Sequence, residues 1–258
     1  MESEREAVSR VAVLILTFNE EKHIVDCIRS ASFADEIVVV DSGSKDATIE
    51  LAKSLGAKVV VHKMEGFAAQ RNFALQQTDA EWVFFLDADE RPTEAAGKEI
   101  RRLIDSPEKF AYKIRRRNVV FGYPMRHGAH APDWVIRLCP REAMHWSGLV
   151  HENTEVSVPV KQMQEDMIHY TYDVWETYLS KFNLYTSLAA KKLYDSGKRA
   201  SVVKILLDPP FTFIKMFVLK AGFLDGFLGF VMSVMAGLNV FVKYLKLAEL
   251  ERLEKQKK

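Results

Sequence analysis

Three acidic groups stand where short apolar runs end: Asn19-Glu20 just after the first run, Asp41 closing the second, and Asp87 with Asp89 closing the fourth. Two carboxylates at i and i+2, where a strand runs out, point the same way. Oxygen ligands so placed suit a hard divalent cation that also holds phosphate oxygens. Taken alone, an Asp-X-Asp is more often a solvated loop before a helix, here capped by Asp89 or Thr93. Other chemistry-bearing residues carry less. His127 and His130 have no third ligand nearby in sequence, which argues against zinc. Cys27 and Cys139 lie far apart without metal-ligand spacing and read as reduced thiols of a cytosolic protein. Arg115-Arg116-Arg117, with Lys109, Lys113 and Arg126, reads first as a solvated basic face and second as a collector of phosphorylated acceptor or anionic lipid.

The elements that would position the acidic groups are legible in the first hundred residues. Runs rich in β-branched residues at 11–17, 36–41, 58–61 and 81–87 alternate with helical periodicity near 20–31, 46–55, 67–77 and 93–104. The runs are nearly continuous in apolar character, as in a parallel sheet covered by helices on both faces. The expectation is an α/β, doubly wound arrangement whose ligands bind outside the carboxyl ends of the strands. No GxGxxG follows the first strand, which excludes a dinucleotide-binding dehydrogenase, and no Gly-rich phosphate loop lies between Thr17 and Lys22, which disfavours a nucleotidyltransferase.

From 110 to 172 the pattern shortens, punctuated by Gly122-Tyr123-Pro124, Ala131-Pro132-Asp133 and Ser147-Gly148, and predicts hairpins and loops over the active edge. A helix is expected from Asp173, capped by its carboxylate, with Trp175, Tyr178, Leu179, Phe182, Tyr185 and Leu188 on one face and an end near Gly197. Asp208-Pro209-Pro210 is expected to break the chain again. Residues 226–242 then hold 17 residues without a charge, after 211–224 with only Lys215 and Lys220. A spanning helix needs roughly 20 apolar residues. A buried helical hairpin, an interfacial helix pair and a true span all fit this composition, and Lys215, Lys220, Lys243 and Lys246 would suit anionic headgroups.

The chain of 258 residues is 48% hydrophobic and 28% charged, which excludes a disordered tail or a disulfide mini-protein. Its net charge of +1 gives no sign of nucleic-acid binding. That value hides a division, because residues 1–95 carry 10 basic and 18 acidic side chains and the remainder 26 and 17. The two parts are expected to meet different partners. The polar, acidic start and the short apolar run after it lack the features of a signal peptide, so export is not expected.

LTFNEE, VVDSGSKDAT, AAQRNFAL and FFLDADE together resemble, in order and spacing, the nucleotide-sugar-binding half of family 2 inverting glycosyltransferases. WVIRLCPR, GLVHENTE, IHYTY, GKRAS, LDPPFTFIKMF and AGFLDGFLGF look like the subgroup with lipopolysaccharide-core β-glycosyltransferases. The resemblance implies a GT-A fold, a Rossmann-like, mostly parallel sheet flanked by helices, with a C-terminal helical membrane-associated extension. It implies a nucleotide-sugar half at 1–108, an acceptor and catalytic-base half at 109–172, and a helical region at 173–258. Thr17, Phe18 and Glu20 would line the base pocket, Asp41 would accept from the nucleobase imide, and Arg71 and Asn72 would reach toward the nucleotide. Asp87 would sit near the ribose, Arg137 at the diphosphate, and Asp89 on Mg2+ or Mn2+. Glu152 stands at the base position, as the Glu of a His-Glu pair where the commoner pattern has the Asp of Glu-Asp. His151 and Trp134 would meet the acceptor, although Trp134 beside Val135 and Leu138 also reads as a core aromatic. His169 and Tyr170 read as packing residues, with a place beside the diphosphate as the alternative.

The implied reaction moves a sugar from a nucleoside-diphosphate donor, UDP-glucose-like, to a lipid-linked glycan such as lipopolysaccharide core. Polyprenyl phosphate is the alternative acceptor, and a non-catalytic nucleotide-sugar-binding scaffold the alternative role. The implied location is cytoplasmic, peripheral on the cytoplasmic face of the inner membrane.

Overall fold

The computed structural model of the chain describes residues 9–147 and 153–257. They form two compact units, 9–116 with 133–147 and 153–169, and 117–132 with 170–257.

The first unit begins with β1 (Val11–Thr17), α1 (Ile24–Ser30), β2 (Glu36–Asp41), α2 (Thr48–Ser54), β3 (Lys58–Val61), α3 (Phe67–Leu75) and β4 (Trp82–Asp87). β5 (Glu90–Pro92), α4 (Glu94–Ile104) and β6 (Ala111–Val120) follow. β3, β2, β1 and β4 lie side by side and parallel. Alternation along these strands builds a core on each side of the sheet. Val11, Val13, Ile15, Phe84 and Leu86 meet α1, α2 and α4 on one face, while Leu14, Val40, Val83 and Phe85 meet α3 on the other. Fully burying one such large apolar side chain stabilises the fold by roughly 1.5–3 kcal/mol. Thr93 caps α4, its Oγ1 accepting from the Ala96 amide at 3.1 Å.

The remaining strands complete a mixed sheet. β7 (Tyr123–Pro124) pairs with the end of β6 in the second unit, and β8 (Asp133–Pro140) runs antiparallel between β4 and β6. β9 (Met144–Ser147) and β10 (Asn153–Val156) form a separate antiparallel pair. β11 (Val160–Tyr172) lies beside β6 and pairs antiparallel with β5, which sets His169 opposite Glu90.

The second unit is mainly helical: α5 (Trp175–Asp195), α6 (Val202–Ile214), a π-helical turn Lys215–Leu219, a 3-10 turn Gly222–Asp225 and α7 (Gly226–Lys257). The expected cap at Asp173 is not formed. Val174 is the N-cap residue and no side chain caps α5, because the strand-like backbone continues one residue further. The expected apolar face of α5 also divides, since Tyr178 is buried and Phe182 half-buried while Leu179 and Tyr185 are exposed. Its end matches expectation: Gly197, at φ +76°, lets its own amide reach the Tyr194 carbonyl and the Lys198 amide reach that of Leu193.

Asp208-Pro209-Pro210 does not break the chain; both prolines lie inside α6. α7 presses against them at Gly237, where a Cβ would stand 2.9 Å from the Pro209 carbonyl oxygen. Asp208 accepts from Tyr244 Oη at 2.9 Å. Packing against a glycine seam offsets the hydrogen bonds the prolines remove. Two of the lysines expected at headgroups are used internally. Lys246 Nζ donates to Asn183, Thr186 and Ser187 on α5, and Lys243 is half-buried over the Tyr244 ring.

Candidate functional site

The carboxyl ends of β2, β1 and β4 lie next to one another, with Thr17 in register with Asp41 and Leu16 with Asp87. This is where an open α/β sheet offers its loops to a ligand. The loops after β1 and β2 are laced together: Asn19 and Glu20 amides donate to Ser44 Oγ and Thr48 Oγ1, and the Lys45 amide donates to Asn19 Oδ1. Asn19 takes a left-handed φ of +55° to close that turn. Phe18 is left 56% exposed beside it, a ring available for stacking.

Asp41 is fully buried, and its carboxylate already accepts four hydrogen bonds. Gly43 and Ser44 amides bind Oδ1 at 2.8 and 2.7 Å; Thr17 Oγ1 and Ser44 Oγ bind Oδ2 at 3.0 and 2.5 Å. In this arrangement Asp41 knots the loop after β2 to β1, and a further donor could bind it only where one of the two hydroxyls turns away.

Three successive residues of α3 tie three different elements. Gln70 Nε2 donates to Ser42 Oγ and to the His62 carbonyl. Arg71 lies over the Trp146 ring and donates to Asp87 Oδ1 at 2.9 Å. Asn72 makes a two-way pair with the Trp146 backbone, donating to its carbonyl at 2.8 Å and accepting from its amide at 3.0 Å. Asn72 thereby pins β9 to α3.

Asp87 is the hub. Its second oxygen accepts from Arg137 Nη2 at 2.6 Å, and the same nitrogen reaches Glu90 Oε1 at 2.5 Å. Burial would raise the Asp87 pKa, but the Arg137 and Arg71 guanidiniums together hold it well below the ordinary carboxylate range. Burial likewise works against the Arg137 charge, and the two carboxylates, Asp87 first, overcome it and hold the guanidinium firmly protonated.

Glu90, which the sequence reading passed over, is fully buried. It accepts the Asp87 amide at 3.0 Å, Arg137, and Arg116 Nη1 at 3.1 Å. Arg91 donates to the Ala88 and Glu90 carbonyls and across to the carbonyl of His23, the residue before α1, each at 2.6 Å, so the Asp87-Ala88-Asp89 turn is clamped at its backbone. The run of acids in LDADE carried a hint of Glu90, since a Glu following the turn directly is also placed to close it.

Asp89 leads away from this cluster. Its Oδ2 lies 3.5 Å from His169 Nε2, with the side chains 23% and 13% exposed. A carboxylate oxygen and an imidazole nitrogen facing the same space fit Mg2+ or Mn2+, with the remaining positions left to phosphate oxygens and water. Among the described residues no group of three or more His, Cys, Asp and Glu could hold a metal alone. Trp134 is half-buried on β8, with Lys113 Nζ 6.0 Å from its ring centre. Of the basic run, Arg115 makes a two-bond pair with Asp166, and Arg116 binds Asp133 at 2.9 Å as well as Glu90. Two arginines of that run are therefore paired with specific carboxylates. Glu152 and His151 lie outside the described residues.

Residues 12–158 match the family model described as glycosyl transferase family 2. The chain belongs to this glycosyltransferase family. Its mixed sheet flanked by helices, with the helical C-terminal part, is a GT-A fold with an extension. An uncharacterized glycosyltransferase of Rickettsia typhi is 30% identical over 262 residues, covering 95% of this chain and 88% of that one. The lipopolysaccharide core biosynthesis glycosyltransferase LpsC of Rhizobium meliloti is 28% identical, covering 95% and 94%. Among solved structures, glucosyl-3-phosphoglycerate synthase from Mycobacterium tuberculosis in complex with Mn2+ and uridine-diphosphate-glucose is 25% identical over 43% of this chain and 44% of that one, with a TM-score of 0.37. Family 2 membership makes this protein an enzyme, a glycosyltransferase, and the clustered acids and guanidiniums at the sheet's edge are its candidate donor site.

Proposed function

We propose that this family 2 enzyme is a metal-dependent inverting glycosyltransferase that takes a sugar from a nucleoside-diphosphate donor, UDP-glucose-like, and joins it to a hydroxyl of a lipid-linked glycan. Lipopolysaccharide core is the first acceptor and polyprenyl phosphate the second, met at the cytoplasmic face of the inner membrane. The observation that carries the donor half is the meeting of Asp87 and Asp89 with Arg71, Arg137 and His169 at the carboxyl ends of the strands. The likeness to LpsC over nearly the whole chain supports the acceptor class.

In this reading the laced loops after β1 and β2 hold the base, with Phe18 against its face and Glu20 beside it. Asp41 and Thr17 keep the floor of that pocket rigid. Asp89 and His169 hold the metal, which when bound neutralises charge on the leaving diphosphate. Asp87, fixed by Arg71 and Arg137, faces the ribose, while Arg137 lies where it can share its charge with the diphosphate. Trp134 and His151 orient the acceptor. Glu152 takes the proton from the attacking hydroxyl as the new bond forms at the anomeric carbon and the bond to the diphosphate breaks on the opposite side.

Thermal-shift measurements with UDP-glucose and Mn2+ test the donor half. The expected result is a rise in melting temperature that needs both together and is lost in Asp89→Ala. If neither UDP nor any other nucleoside diphosphate, with or without Mn2+, raises the melting temperature, the donor assignment fails. Slow donor hydrolysis that survives Glu152→Gln unchanged would leave the donor assignment standing and remove the base assignment.

A further inference from the structure

α6 presents its apolar side to solvent. None of its residues is buried. Val203, Leu207, Phe211, Ile214 and Val218 recur at i, i+4, i+8, i+11 and i+15, one continuous side of the helix and the turn after it, and each exposes about half or more of its surface. The stripe runs on through Leu219 and Leu224 to Phe227, which is 81% exposed. Isolated apolar residues on a surface are ordinary, but a contiguous run of this length marks an interaction site.

Charge around the stripe says what it meets. Residues 202–230 contain two carboxylates, and both are turned inward. Asp208 accepts from Tyr244 Oη, and Asp225 accepts the Arg126 and His127 amides at 3.0 and 2.8 Å and lies 2.9 Å from His127 Nδ1. The three cations of the same stretch, Lys204, Lys215 and Lys220, are exposed. Within this stretch the exposed charges are lysines and the acids are satisfied internally, which complements a surface that is negative outside and hydrocarbon within.

We propose that the protein lies on an anionic lipid bilayer through this stripe, with α6 in the plane of the interface and without a crossing helix. By length and composition alone Gly222–Gln256 could cross a membrane. Two features oppose a crossing by α6 and α7 together as a hairpin. α6 is about 20 Å long at 1.5 Å per residue, against a hydrocarbon thickness of about 30 Å. The bend between α6 and α7 is bound to a polar segment, Arg126 and His127 through Asp225 and the Gly128 amide through the Lys220 carbonyl, which a crossing hairpin would carry into hydrocarbon. The inference rests on the lipid-linked acceptor only for its purpose. Binding to vesicles needs neither donor nor acceptor, so the two readings fail separately.

Sedimentation of the full chain with phosphatidylcholine vesicles, with and without phosphatidylglycerol, tests it. The expected result is binding at least tenfold tighter to the anionic vesicles, since one lysine near such a surface contributes about fivefold, and complete release by alkaline carbonate. Leu207→Ser with Phe211→Ser and Phe227→Ser should lower binding more than tenfold while leaving the UDP-dependent thermal shift intact. Lys204→Ser with Lys215→Ser and Lys220→Ser should make the two vesicle types equivalent. Failure of the wild-type chain to sediment with either vesicle overturns the proposal, as does wild-type binding by the apolar variant. Resistance to carbonate points instead to a crossing helix. A dimer that dissociates in the apolar variant, without vesicle binding, assigns the stripe to a second copy of the chain.

Discussion

A carboxylate gripped by two guanidiniums gives up its proton more readily than a free one, and Asp87 is held that way by Arg137 and Arg71. Its folded pKa lies below the unfolded value of roughly 3.9. The stability it contributes is therefore complete above about pH 5 and is lost as pH falls below that unfolded value. Melting curves of wild type and Asp87→Asn should differ by a constant amount from pH 8 to pH 5 and converge in more acid solution. A gap that instead narrows between pH 8 and 6 contradicts the assignment. Glu90 answers to urea denaturation. Glu90→Ala strands Arg137 beside a lost partner and should cost about 3–5 kcal/mol, whereas Glu90→Gln keeps an accepting oxygen and should cost less. Burial pushes the Cys139 thiol up to about 12 and the Cys27 thiol further still. Both should resist a thiol reagent at pH 8 until denaturant is added. The positions of Asp41, Asp87 and Asp89 were legible because each closes an apolar run and falls in a motif whose order and spacing match the others. Their partners were not. The four donors on Asp41 and the burial of Glu90 depend on which loops meet, and linear spacing does not encode that.

At the scale of elements, the first four strands were read nearly to the residue, while the first helix begins at Ile24 rather than near 20 and β5 was not anticipated. Runs such as VAVLILT and WVFFLD are buried on both faces, so composition and position coincide there. Thr93 sits where a cap was expected, and Thr93→Ala should lower stability by about 1 kcal/mol in chemical denaturation. Reading failed where tertiary contacts override local signals. Pro209 and Pro210 stay helical because α7 brings Gly237 against them, and the cap expected at Asp173 is missing because extended backbone continues to Val174 before α5 starts. Gly229 tests the same seam. In an open helix Gly→Ala gains about 1 kcal/mol, but a Cβ at Gly229 would overlap the Gly222 carbonyl oxygen. Gly229→Ala should therefore lower the melting temperature, and a rise would mean that the turn before α7 yields freely.

For the molecule as a whole, the near-zero net charge conceals a division of labour. The acidic excess of residues 1–95 includes Asp41, Asp87 and Glu90, held by arginines, hydroxyls and backbone amides at the carboxyl ends of the strands, and Asp89, which faces His169. The basic excess of the remainder includes Lys204, Lys215 and Lys220 beside an exposed apolar stripe. In the proposed reading, the acidic part gathers a cation with the donor and the basic part meets an anionic surface, as a transferase acting on lipid-linked glycans would require. The family is fixed by the chain's own match; the sugar rests on a few hydroxyl contacts that no linear motif encodes. The most direct test is mass spectrometry of a lipid-linked glycan extract incubated with the enzyme, Mn2+ and a panel of nucleotide sugars. The account predicts a mass gain of one sugar from one donor, with the nucleoside diphosphate released in equal amount and both products lost in Asp89→Ala and Glu152→Gln. Transfer that proceeds undiminished in both variants, or no release of nucleoside diphosphate from any donor, would contradict it.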